Sequence, residues 1–151
     1  MPVSRTKEWF VEQMRSEVRS AVAENRATID LLVILAELTT RGEMADRAEW
    51  SAKLVAEGIG TPEGPIAQKA ARTRIQADVF AALAVVAEEE AVAHALVEEM
   101  RGMADRLLDE WYVASSAAAE EDLRESVRAI TNGSEQAHPS RRSLWHRVWG
   151  M

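Results

Sequence analysis

Apolar residues recur along this chain in steps of three and four rather than two. Val11, Met14, Val18, Ala21, Asn25, Thr28, Leu32 and Leu35 form one such series, the mark of a helix that presents a single seam. The spacing predicts a first helix over residues 4–40, with Arg41 and Gly42 as its stop. Its first half is one-sided. Its second half, IDLLVILAEL, is apolar nearly all round and is expected at the centre of a bundle. Asn25 falls on the seam, where a buried Asn fixes register in some coiled coils and more commonly marks a bundle end.

A second, shorter helix fits 43–57, closed by Gly58. GIGTPEGP is the one clear loop, and Pro65 suits a first helical turn. A long helix is predicted over 65–112, with Ile75, Val79, Val86, Leu96, Met100, Met103, Leu107 and Trp111 on its apolar side. SSAAAEEDLRESVRAI reads as a cap and a last body helix, with Leu123, Val127 and Ile130 on one face and acidic residues in its first turns. TNGSEQAHPS reads as a linker. No segment alternates at the strand period. The expected fold is all-α: an elongated bundle of about four helices, with long coiled-coil-like helices over 1–130, a linker at 131–140 and a short C-terminal amphipathic helix at 141–151.

Lengths point to elongation. A straight helix of about 37 residues is roughly 55 Å long, whereas a compact chain of this size is about 40 Å across. The long helices therefore kink or overhang. An overhanging amphipathic stretch such as 8–24 exposes apolar surface, and self-association, most simply as a two-fold dimer, is the expected way to cover it.

The C-terminal stretch SRRSLWHRVWGM changes the picture most. On a helix, Leu144, Trp145, Val148, Trp149 and Met151 share one arc, while Arg142, His146, Arg147 and Gly150 lie opposite. Arg141 lies on the apolar side at the mouth of this helix, and Ser140 is its candidate cap. A segment this short is not a stable helix alone in water, so its folding is expected to be coupled to docking. Three surfaces fit: its own bundle or a neighbouring protomer, an anionic membrane, or a groove on another protein. The expected binding residues are Arg141, Arg142, Leu144, Trp145, Arg147, Val148 and Trp149, with the Trp and aliphatic residues as anchors.

Charge sharpens the contrast between tail and body. The net charge is −7. From residue 131 onward three Arg stand against one Glu, +2, which leaves −9 on the first 130 residues. An acidic body disfavours direct nucleic-acid binding, which needs a basic face. The abundance of Arg and Ala suggests a bacterial or phage source. MPVSRTKEWF lacks the apolar core of a signal peptide, and no apolar run approaches the ~20 residues of a membrane span. A cytoplasmic protein is expected, peripheral to the membrane if the tail binds lipid.

Candidate chemistry is sparse. With no cysteine, thiolate metal sites and cysteine nucleophiles are excluded. Glu90, His94 and Glu98 at i, i+4 and i+8 would offer a helix face to a metal, but no Glu-x-x-His pair supports a di-metal bundle. Neither a P-loop nor a Gly-x-Ser-x-Gly elbow is present. Residues 43–57 and 65–74, with Lys69, Arg72 and Arg74, make a poor helix–turn–helix because their connection is too long. No catalysis, cofactor or metal is expected. The expected function is binding or scaffolding through self-association and the tail. The alternative is an acidic inhibitor or accessory factor of a nucleic-acid enzyme, acting through the run Glu88, Glu89, Glu90 and the pair Glu98, Glu99.

Overall fold

A computed structural model describes residues 5–132. They form four helices, α1 (Lys7–Ala23), α2 (Ile29–Ala56), α3 (Pro65–Glu89) and α4 (His94–Thr131), packed as an up-down-up-down bundle, with no strand among the described residues. The all-α expectation stands, but the chain is cut at different places. The helix expected over 4–40 is two helices, and so is the one expected over 65–112. Gly42 does not end a helix, and the segment 115–130 continues α4 without a break. The last described helix is therefore the longest, at 38 residues; the short helix expected at 141–151 lies outside the described residues.

Three turns end helices in the same way. After α1, Asn25 N–H donates to the Val22 carbonyl at 3.1 Å and Arg26 N–H to the Ala21 carbonyl at 2.7 Å. After α2, Gly58 and Ile59 donate to Val55 and Leu54; after α3, Ala91 and Val92 donate to Glu88 and Ala87. Each is a Schellman closure, which needs one residue in the left-handed region. That residue is Asn25 (φ 57°), Gly58 (φ 75°) and Ala91 (φ 64°) respectively. Only Gly58 carries the usual sequence mark, which is why the other two breaks are invisible to periodicity. Val92 is buried beside the core, the apolar contact that accompanies this closure. Thr28 then caps α2 by accepting from Leu31 N–H at 3.3 Å.

Gly42 has a packing role instead. It lies inside α2 beneath the ring of Phe10, where an added Cβ would come within 2.9 Å of Phe10 Cε1. The missing side chain lets α1 lie close. A bidentate Arg5–Asp46 pair, 2.7 Å at its shorter contact, fastens the start of the same helix. With Phe10, Met14, Val18 and Ala21 buried, α1 covers its apolar side against the bundle, so the expected overhang at 8–24 is absent.

The centre of the bundle is α3, which packs against all three other helices and most extensively against α4. It supplies Val79, Phe80, Leu83, Ala84, Val86 and Ala87 to the core, joined by Met14 and Val18, Leu32 and Ala36, and Val97 and Met100. The stretch IDLLVILAEL, expected at the centre, is instead at the surface on one side. Leu32 and Ala36 face inward, while Ile34 and Leu38 are 55% and 57% exposed.

Candidate interaction surface

The tail residues Arg141, Arg142, Leu144, Trp145, Arg147, Val148 and Trp149 lie outside the described residues. Their connection to the body is the end of α4 at Thr131. No helix among the described residues is long and apolar enough to cross a membrane.

The sequence's candidate polar sites are occupied by other interactions. Glu90, His94 and Glu98 do not share a helix face, because Glu90 belongs to the turn that ends α3 and His94 begins α4. His94 is 81% exposed at its side chain and 3.8 Å from Glu98. Among the described residues no group of three or more His, Asp or Glu is placed to hold a metal. The acidic run is threaded with arginines. Arg15 pairs with Glu89 at 2.5 Å, Arg19 with Glu90 at 2.6 Å, and Arg101 with both Glu88 and Glu98. The Arg19 hydrogen bonds hold the Glu90 carboxyl below its ordinary range, ahead of the opposing effect of desolvation. These pairs tie α1 and α4 to the end of α3, so the face is not an open field of negative charge.

Of the basic cluster, Arg74 is engaged. The Arg74 guanidinium stacks 4.6 Å from the Trp111 ring centre and pairs with Asp78 one turn along. α2 is too long, and its connection to α3 too open, for a helix–turn–helix.

One half-buried carboxyl, Glu43, faces a dent between α1, α2 and α3 lined by Lys7, Thr39 and Asp78. Burial pushes its pKa up, Lys7 opposes this, and Asp78 and Asp46 add to it. The dent is too small to take more than a single water, so it is not a substrate pocket.

What remains is apolar surface. On the outward side of α2, Leu31, Ile34, Leu38, Ala45, Ala48 and Ala52 follow alternating steps of three and four, the repeat of a coiled-coil seam. Arg41 is the one charge in the series, and it pairs with Glu37 of its own helix at 3.2 Å. All but Leu31 are exposed, and Leu31 is half-buried. A second apolar surface lies on the far half of α4, where Tyr112, Leu123, Val127 and Ile130 are exposed. The sequence pattern did not single out the α2 seam, because residues on both sides of the helix are apolar there. Only the placement of α1 and α3 against the opposite side reveals it.

Compared with known proteins, the chain matches no family model, no curated protein and no solved structure.

Proposed function

We propose that this chain is a non-enzymatic binding or scaffolding protein. It self-associates, and it docks through its C-terminal segment onto a protein groove or an anionic membrane surface. The observation that carries the reading is the exposed apolar seam of α2. Ile34 and Leu38, both more than half exposed, are large residues on the half of α2 whose other side is packed through Leu32, Ala36, Thr39 and Thr40, and such contiguous surface favours a partner. The docking part is supported by sequence: Trp145 and Trp149 with Leu144 and Val148 as anchors, and Arg141, Arg142 and Arg147 beside them. The arginine pairing of Glu88, Glu89, Glu90 and Glu98 leaves the acidic-inhibitor alternative with less free charge to offer.

Flotation with anionic and neutral vesicles tests the docking part, using the full chain and the double variant Trp145→Ala, Trp149→Ala. Binding only to anionic vesicles, lost in the variant while its helical content and melting stay unchanged, identifies a membrane anchor. No flotation of either protein directs the search to a protein groove. Unfolding of the variant shows that the tail is part of the core and overturns the docking reading.

A further inference from the structure

Size is distributed unevenly along the α2 seam. Its large residues, Leu31, Ile34 and Leu38, all lie before Arg41, and its small ones, Ala45, Ala48 and Ala52, all lie after it. A partner that fits this surface must be small where α2 is large and large where α2 is small. The same helix reversed has that profile. We propose that the outward face of α2 pairs head to tail with the same face of a second copy of this chain, about a two-fold axis passing beside Arg41 and Gly42. This rests on the self-association reading and deepens it by naming the surface and the direction.

In this register Leu38 of each copy faces Ala45 of the other and Leu31 faces Ala52, Ile34 lies between Ala48 and Glu49, and the two Arg41 side chains meet beside the axis, each paired with Glu37 of its own helix. Two-fold contacts are isologous, so every large-on-small contact occurs twice. A parallel pair would instead set Leu31, Ile34 and Leu38 against themselves and leave the alanine half under-filled. The surface available is modest. From Leu31 to Ala52 the seam runs about 32 Å along a helix about 10 Å wide, a strip well under the ~800 Å² per partner of a standard stable interface. The pair is therefore expected to be weak and exchanging, and is sought across roughly 10–1,000 μM chain.

The test is sedimentation equilibrium of the full-length chain over that range, with three variants and a cross-linking arm. The double variant Ile34→Glu, Leu38→Glu is expected to be monomeric throughout. Ala45→Leu places Leu against Leu and is expected to weaken the dimer about tenfold, since overpacking a small site is unfavourable, although Leu is a good helix former. Leu123→Glu, on the other exposed surface, is expected to leave dimerisation unchanged. The natural chain has no cysteine, so single-cysteine variants report direction. A mixture of Leu38→Cys and Ala45→Cys chains is expected to cross-link to each other, and neither to itself.

Dimerisation that survives the double glutamate variant, or that is lost instead in Leu123→Glu, overturns the α2 assignment and leaves self-association intact. Self-cross-linking of Leu38→Cys overturns the head-to-tail direction. A full chain that stays monomeric at every concentration overturns both this proposal and the self-association reading. Circular dichroism of each variant keeps loss of fold distinct from loss of contact.

Discussion

The two ends of this bundle use the same helices for different purposes. At the end that carries the turns at 24–28 and 90–93, all four helices meet, and Met14, Leu32, Leu83, Val97 and Met100 are all but fully buried. At the other end, α1 is absent. The remaining lengths of α2, α3 and α4 (44–56, 65–75 and 108–131) bury only Ala70, Thr73 and Ser126. Helix length is therefore not a measure of core here. One end holds the fold together; the other is helix sustained by local propensity and a thin alanine-rich contact.

The two ends differ most in what a large side chain contributes. Leu83→Ala is expected to destabilise the chain by about 2–5 kcal/mol, because it leaves a cavity where neighbours cannot collapse, while Leu123→Ala, exposed on the far half of α4, should stay within about 0.5 kcal/mol. Chemical denaturation of both variants measures the gap. Similar losses at the two sites would show that the far end is packed after all. Hydrogen exchange reads the same difference without mutation, with amides of 79–87 protected to near the global limit and those of 120–130 opening well below it.

Gly42 stands at the boundary between the two ends. Gly42→Ala gains roughly 1 kcal/mol of helix propensity but drives a methyl into the Phe10 ring at 2.9 Å, and overpacking costs about 1–3 kcal/mol. A net loss of about 1 kcal/mol is expected. A net gain would mean that α1 shifts freely on α2.

Within the well-packed end, Ala91 is a stored weakness. A left-handed alanine costs about 1–2 kcal/mol relative to its right-handed form, and part of that gain returns when glycine loosens the unfolded chain. Ala91→Gly is expected to stabilise by about 0.5–1 kcal/mol, measured by thermal melting, and Asn25→Gly by less, because Asn tolerates this region better.

The smallest effect concerns two carboxyls, Glu43 beside Gly42 in α2 and Glu90 in the turn that ends α3. Burial raises the Glu43 pKa above its ordinary 4.5, so folding is favoured by this group below pH 4.5 and that contribution is lost as pH rises through its folded value. Glu90 runs the other way. Its pKa is lowered, so its contribution is present above 4.5 and lost as pH falls through the lower folded value. Glu43→Gln should therefore raise stability at pH 7 by a few tenths of a kcal/mol and give no gain at pH 4, as read from denaturant midpoints at the two pH values. Equal gains at both pH values would point to a cause other than the Glu43 charge.

These same residues show what the sequence could and could not disclose. The helical period, the loop at 57–64 and the core positions Met14, Val18, Val79, Val86 and Met100 are written in local spacing, and they hold. Asn25 and Ala91 are different, because a turn closed by a residue other than glycine looks like uninterrupted helix until the hydrogen bonds are placed. The stretch from Ile29 to Leu38 misled for a related reason. A helix apolar on every side carries no information about which side faces in, so its exposed seam emerges only from the positions of its neighbours. Residues 141–151, from which the sequence predicted docking, lie outside the described residues.

α4 runs parallel to α2 and reaches Thr131 about 40 Å beyond Ala104, its last buried apolar residue. In the proposed head-to-tail pair the two tails therefore leave from opposite extremities, roughly 80 Å apart. Such an object is a strut rather than a clamp. Roots that far apart lower the effective concentration of the two tails at one small target, and they suit the pair to joining two separate attachment points.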